Sequence, residues 1–293
     1  MSKYFILLLF LLTWSACDWL QPETASLPAY IYVQPLELET NPLTQGSASQ
    51  KITEAWVTVD GILLGAYRLP GLVPVLPRSG TAEIRIEAGI RDNGISTTPA
   101  VYPFYAPFEA RLNLIPGQTD TLFPKISYRA STRFGFVEDF ERGSLIFNDD
   151  RDGDPATAMV ISQVDPFEGK GLGLIVLNRD HPVVEVATDL RRIISDLPKQ
   201  GGFVYLELNY RSDVPVIFGL VGRAGGGINE AAFEPGFNAK SEWNKIYFNL
   251  TNLATSLPYQ DFQVVLRATL LSASGTPVAE TARIQLDNIK LVY

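Results

Sequence analysis

Short alternating apolar segments, punctuated by turn dipeptides, constrain this chain more than any other feature. Pro70-Gly71, Ser79-Gly80, Asn93-Gly94 and Pro116-Gly117 recur at intervals of roughly 10–20 residues, and strand-like runs lie between them. Ile52 to Asp60 alternates, with Ala55, Val57 and Val59 on one face and Trp56 and Thr58 on the other. Asp60-Gly61 then suits a two-residue hairpin into Ile62-Leu63-Leu64. Thr81 to Ala88 sets Ile84 and Ile86 against Glu83, Arg85 and Glu87, the pattern of a strand with one wet face. Tyr30 to Val33, Phe108 to Leu114 and Thr121 to Tyr128 supply further strands. The expectation is an all-β fold opening with a small antiparallel β-sandwich over residues 29–130.

A second pattern starts near Arg133. Phe203 to Tyr210 and Val264 to Leu271 predict long strands, and Arg283 to Val292 predicts a closing strand broken at Asp287-Asn288. Leu190, Ile193, Ile194 and Leu197 fall at helical spacing and predict one short helix over Asp189 to Leu197. The apolar fraction of 46% is ample for two cores, and 293 residues is about two domains' worth of chain.

The first segment, through Val57-Thr58-Val59-Asp60-Gly61, Gly65, Pro74 and Gly80 before Ile84, resembles the immunoglobulin-like or PEGA-like sandwiches of exported bacterial proteins. The second runs from Glu138-Asp139-Phe140-Glu141 to Leu286-Asp287-Asn288-Ile289, with Trp243, Ile246 and Leu250 spaced along one strand. It resembles the jelly rolls of carbohydrate-binding modules and galactose-binding-like folds. That resemblance implies a larger β-jelly-roll sandwich over residues 131–293, with first and last strands side by side.

The amino terminus carries a different signal. Lys3 is a short positive region, and Phe5 to Leu12 is an unbroken apolar run, too short for the ~20 residues of a membrane span but suited to a signal peptide. Ser15 and Ala16 precede Cys17, the only cysteine. Residues 1–17 resemble the bacterial lipoprotein signal, although Trp14 stands where that signal prefers Leu. The resemblance implies cleavage after residue 16, acylation (palmitate among the chains) of Cys17, and residues 17–28 as anchor and tether. A lone cysteine in an exported chain has no internal disulfide to make. The layout resembles lipoproteins of Bacteroidota-like organisms, which implies a cell-envelope location, with the outer membrane preferred.

The formal net charge of −8, with Arg191-Arg192 no more than a pair, argues against a nucleic-acid partner. Asp150, Asp152 and Asp154 around Gly153 resemble a cation loop. It is not an EF-hand, because the twelfth position from Asp150 is Ile161, and a solvated acidic loop between two strands is the leading reading. The jelly-roll resemblance implies a second candidate, a structural calcium between Glu141, with Asp139 as alternative, and Asp287. No cofactor is required otherwise. The single histidine, His181, precedes Pro182 and reads as an exposed turn residue. Gly222 to Gly227 lacks a phosphate-loop pattern and reads as a flexible loop. Aromatic candidates for a sugar platform are Tyr205, Tyr210, Phe233 and Phe237, the last two in a loop, and Trp243, whose leading reading is core packing. No catalytic constellation stands out, and no ligand-binding residue can be assigned. The expectation is a non-enzymatic, lipid-anchored protein that binds a ligand, foremost a glycan. The alternative is a structural interaction component of an envelope complex.

Overall fold

The computed structural model describes residues 27–76, 80–223 and 230–293. Cys17, the signal segment and most of the tether lie outside the described residues, as do residues 224–229 of the glycine-rich stretch.

The first unit is a sandwich of three small sheets. Ala29–Val33 lies between Gly71–Val75 and Thr119–Leu122. Glu37–Glu39 pairs with Lys125–Ser127. The third sheet is built on Glu54–Val59, with Ile62–Arg68 on one side and Ala82–Arg91 on the other; Pro99–Val101 and Phe108–Leu112 both pair with Ala82–Arg91. Asp60 and Gly61 carry φ values of 48° and 78°, and Val59 pairs with Ile62, which is the two-residue hairpin their dipeptide suits. The alternation holds too: Ala55, Val57, Val59, Ile84 and Ile86 are all buried. Two pairs run parallel, Ala29–Val33 with Thr119–Leu122 and Lys125–Ser127 with Glu37–Glu39. Parallel neighbours require a long crossover, supplied here by the five-stranded sheet inserted between them in sequence.

The second unit is the jelly roll. One sheet runs Val160–Ser162, Leu172–Asn178, Thr281–Val292, Tyr205–Ser212, Lys240–Asn249, and Phe134–Glu138 also pairs with Thr281–Val292. The facing sheet runs Phe147–Asp150, Val183–Thr188, Asp261–Thr269, Val216–Arg223, Ala231–Phe237. The first and last strands are antiparallel neighbours, from Phe134 opposite Val292 to Glu138 opposite Ile289. The expected break at Asp287-Asn288 is instead a kink within one continuous strand: Asn288 takes φ 50° and the register shifts opposite Glu207 to Asn209. Leu206, Leu208, Phe218, Leu220, Val264, Leu266, Ile284 and Leu286 fill the core between the sheets.

No described sheet draws strands from both before Tyr128 and after Phe134. The units are nonetheless packed together, since Tyr205, Tyr247 and Val292 of the jelly roll join the buried cluster of the first sandwich.

The helix expected over Asp189 to Leu197 is absent. Asp189 Oδ1 accepts the Arg191 backbone N–H at 2.9 Å, and Ile194 exchanges two backbone hydrogen bonds with Phe262, both at 3.0 Å. The side chain and the sheet edge thus take the groups a helix would need. Ile194 and Leu197 are buried as the spacing suggested, but from an extended loop. The α-helix among the described residues is Thr251–Ser256, six residues long. Phe233 and Phe237 lie on the strand Ala231–Phe237, not in a loop.

Candidate functional site

Tyr205–Ser212 is buried along nearly its whole length, on both faces. Leu206, Leu208 and Tyr210 enter the jelly-roll core; Tyr205, Glu207 and Asn209 alternate with them and face the first sandwich. There Glu207 is fully buried and its Oε1 accepts the hydroxyls of Tyr102 at 2.7 Å and Tyr128 at 2.8 Å. Its Oε2 stands 3.3 Å from Lys245 Nζ. Lys290, also fully buried, donates to the Ser47 carbonyl at 2.6 Å and to Tyr128 at 3.4 Å. Tyr102 packs edge-on to Tyr205, with centroids 5.2 Å apart. Burial pushes Tyr102 and Tyr128 well above the usual phenol range, the Glu207 charge adding to it. Burial likewise lowers Lys245, and brings Lys290 down to about 8 against the opposing pull of Glu207. The junction is therefore a dehydrated ionic cluster, in which Glu207 Oε2 and Lys245 Nζ face each other as an ion pair without a hydrogen bond.

Beside this cluster a cavity of about 350 Å³ opens between the two units. The edge strand Lys240–Asn249 forms one wall, and the segment from Arg91 to Ile95 the other. The walls are stitched by the Asn93 backbone N–H to the Tyr247 carbonyl at 3.0 Å and by Asn249 N–H to Asn93 Oδ1 at 2.8 Å. Lys51, Arg91, Lys240 and Lys245 line it together with Asn93, Asn238, Asn244 and Tyr210. Gly94 sits against Ile246 where a Cβ would come within 2.8 Å of its Cδ1, and its φ is 71°, so glycine lets this wall close.

A wider cleft of about 470 Å³ also spans the two units and is acidic. Asp139, Glu141, Glu168 and Asn288 line it from the jelly roll and Glu39 from the first sandwich. The structure thus brings Asp139 and Glu141 to one cleft. Glu141 Oε1 accepts the backbone N–H groups of Lys170 at 2.6 Å and Gly171 at 2.9 Å, and these hold its carboxyl below the usual range. Asp287 is buried beneath the adjoining loop, its Oδ2 accepting from Phe167 N at 3.1 Å and Glu168 N at 3.2 Å. Burial raises it to about 7. Among the described residues, no group of three or more His, Cys, Asp or Glu is arranged to hold a metal ion.

The acidic loop is occupied with itself. Asp150 Oδ1 accepts Gly153 N at 2.8 Å, Asp152 Oδ1 accepts Asp154 N at 2.8 Å, and Asp154 Oδ1 accepts Ala156 N at 3.1 Å. Arg151 pairs with Glu185 at 3.1 Å. His181 Nδ1 lies 2.7 Å from Asp154 Oδ2, a contact between distant loops that its Pro-flanked context does not announce.

Among the aromatic candidates, Tyr210 stacks on Phe237 at 3.7 Å and lines the junction cavity. Tyr205 is buried in the junction, and Phe233 is half-buried on the outer face of the second sheet. Trp243 is not in the core: it is half-buried between Phe167, 5.8 Å away, and the Arg211 guanidinium, 5.2 Å from its ring. Strand parity explains this, since Trp243 shares a face with Lys245 and Tyr247.

No protein-family model matches the chain, and no curated protein matches it. Solved structures do. A carbohydrate-binding module of the β-sandwich superfamily aligns at 12% identity and TM-score 0.37, over 81% of this chain and 84% of its own. A family 30 carbohydrate-binding module of a cellulosomal cellulase of Clostridium thermocellum aligns at 12% identity and TM-score 0.40, over 55% of this chain and 96% of its own. A family 11 module from the same organism, in complex with a mixed-linked tetrasaccharide, aligns at 13% identity and TM-score 0.37, over 55% and 94%. These solved structures, to which this all-β chain is similar, are carbohydrate-binding-module sandwiches.

Proposed function

We propose that this chain is a non-catalytic, lipid-anchored envelope protein that binds a glycan, and that the junction cavity is its binding site. The cavity itself carries the reading. It has the size of a small ligand pocket (~300–1,000 Å³), and amides, a phenol and ammonium groups converge on it. Sugars present closely spaced hydroxyls that both donate and accept, and asparagine amides match them because each offers two donors and a carbonyl acceptor. Tyr210 adds a rigid aromatic wall, fixed by its stack on Phe237. The anchor in this proposal is acylated Cys17, in the outer membrane, and a calcium held by Glu141 or Asp139 with Asp287 is its structural ion. The loop of Asp150, Asp152 and Asp154 is the alternative place for that ion, not a second one.

The test is a glycan array probed with the full-length chain in detergent, alongside fractionation of Cys17→Ser. Retention of a defined glycan set, reduced by Asn244→Ala, is the expected result. Release of Cys17→Ser from the membrane fraction is expected as well. A blank array would overturn the glycan reading and leave a role in protein contacts, for which the exposed Ile62-Leu63-Leu64 at the hairpin tip is the available apolar surface.

A further inference from the structure

We infer that the junction cavity selects an acidic glycan, one whose sugar carries a carboxylate or a sulfate, and that Lys51 and Lys240 are the residues that read its charge. This rests on the glycan reading of the cavity and narrows it to a ligand class.

The chain holds 32 acidic residues against 24 basic ones, so an average wall would contain more carboxylates than cations. This wall contains four cations and no Asp or Glu. The four are not equivalent. Arg91 is already engaged: its guanidinium donates to Glu54 and to the Ser96 carbonyl, so it shapes the wall and has little charge to offer. Lys245 is 3% exposed and leans on Glu207, a carboxylate that also faces Lys290. Glu207 is thus shared by two buried ammonium groups, with Glu168 acting on both from farther off.

Lys51 and Lys240 have no such partner. Lys51 comes from the first sandwich and donates to the Asn244 side-chain oxygen, a neutral acceptor. Lys240 starts the jelly-roll edge strand. Neither pairs with a carboxylate among the described residues. They lie close enough that Lys240 follows burial as a cause lowering the Lys51 ammonium. Two like charges supplied by separate units at one cavity mouth are mutually destabilising, and an anion between them relieves the repulsion. A neutral sugar would bring no such relief and would leave the ammonium groups to compete for hydroxyls. A carboxylate or sulfate, by contrast, accepts charge-assisted hydrogen bonds, the stronger kind. The rest of the molecule is net negative, so an anion is drawn to this mouth by local charge, not by the overall field.

The decisive experiment is calorimetric titration of the full-length chain in non-ionic detergent. The probes are galacturonate oligosaccharides, a sulfated galactan oligosaccharide, their neutral counterparts and sodium sulfate alone. An acidic oligosaccharide should bind at least about tenfold more tightly than its neutral counterpart, and high salt should weaken it by a similar factor. Lys51→Ala and Lys240→Ala should each weaken the acidic ligand roughly three- to tenfold more than they weaken the neutral one. Both side chains are exposed, so unchanged melting temperatures serve as the folding control. The carboxylate and sulfate arms identify which oxyanion is preferred. Equal, salt-independent binding of neutral and acidic sugars would overturn this inference and leave the glycan reading standing. Binding of sodium sulfate as tight as that of the sulfated sugar would reduce the site to an ion site. Binding of none of the probes would overturn both.

Discussion

The two faces of Tyr205–Ser212 are equally buried and chemically opposite. Leu206 and Leu208 are 0% exposed in an apolar core, while Glu207 between them is 0% exposed in a cluster of two lysines and two tyrosines. Apolar burial is non-directional and tolerates exchange as long as volume is kept. Ionic burial is directional, because dehydration is repaid only if each charge keeps its partner. One strand thus joins a forgiving core to an unforgiving junction, and the junction is what fixes the two sandwiches relative to each other and shapes the cavity between them.

The sharpest way to break this comparison is to substitute neighbours on that strand. Glu207→Ala should cost about 3–5 kcal/mol, since it removes the carboxylate that acts most strongly on both Lys245 and Lys290, whereas Leu206→Met should cost less than about 1.5 kcal/mol. Denaturant melts of both variants decide it, and similar losses for the two would show the junction to be no more demanding than the core.

Calcium probes the acidic side of the same junction. A cation held by Glu141 and Asp287 binds only the folded chain, and would stabilise it by about 2.7 kcal/mol at a hundredfold excess over Kd. Thermal melts with calcium and with chelator should differ, and Asp287→Ala should abolish the difference. Identical melts would remove the ion. A response that survives Asp287→Ala but is lost in Asp150→Ala would move it to the acidic loop.

The smallest expected effect is on pH dependence. Lys290 falls to about 8 in the folded protein from an ordinary value of 10.5. Between those values the unfolded chain binds more protons than the folded one at this site, so stability rises with pH. From pH 8 to 9.5 the gain should be roughly 1–2 kcal/mol, and Lys290→Met should flatten it. A wild-type slope identical to that of Lys290→Met would show that the ammonium is not dehydrated.

Much of the fold was legible because period-two alternation and turn chemistry are local. Asp60-Gly61 specified its hairpin through two positive φ values, and Ile84 and Ile86 went inside because their neighbours were charged. The adjacency of Phe134–Glu138 and Thr281–Val292 came from resemblance, not from spacing. Helical spacing misled at Asp189 to Leu197, where the backbone of Phe262 and the side chain of Asp189 captured the hydrogen bonds a helix would have used.

The site was hardly legible at all. Glu207, Asn209, Lys245 and Lys290 alternate with apolar neighbours along their strands, and that alternation turns them away from the jelly-roll core. Only the tertiary structure decided that this face is covered, because the covering groups, Ser47, Tyr102 and Tyr128, lie far earlier in the chain, in a unit with its own sheets. A residue's face is set by its own backbone; what that face meets is set by the packing of another unit, and no local pattern encodes it.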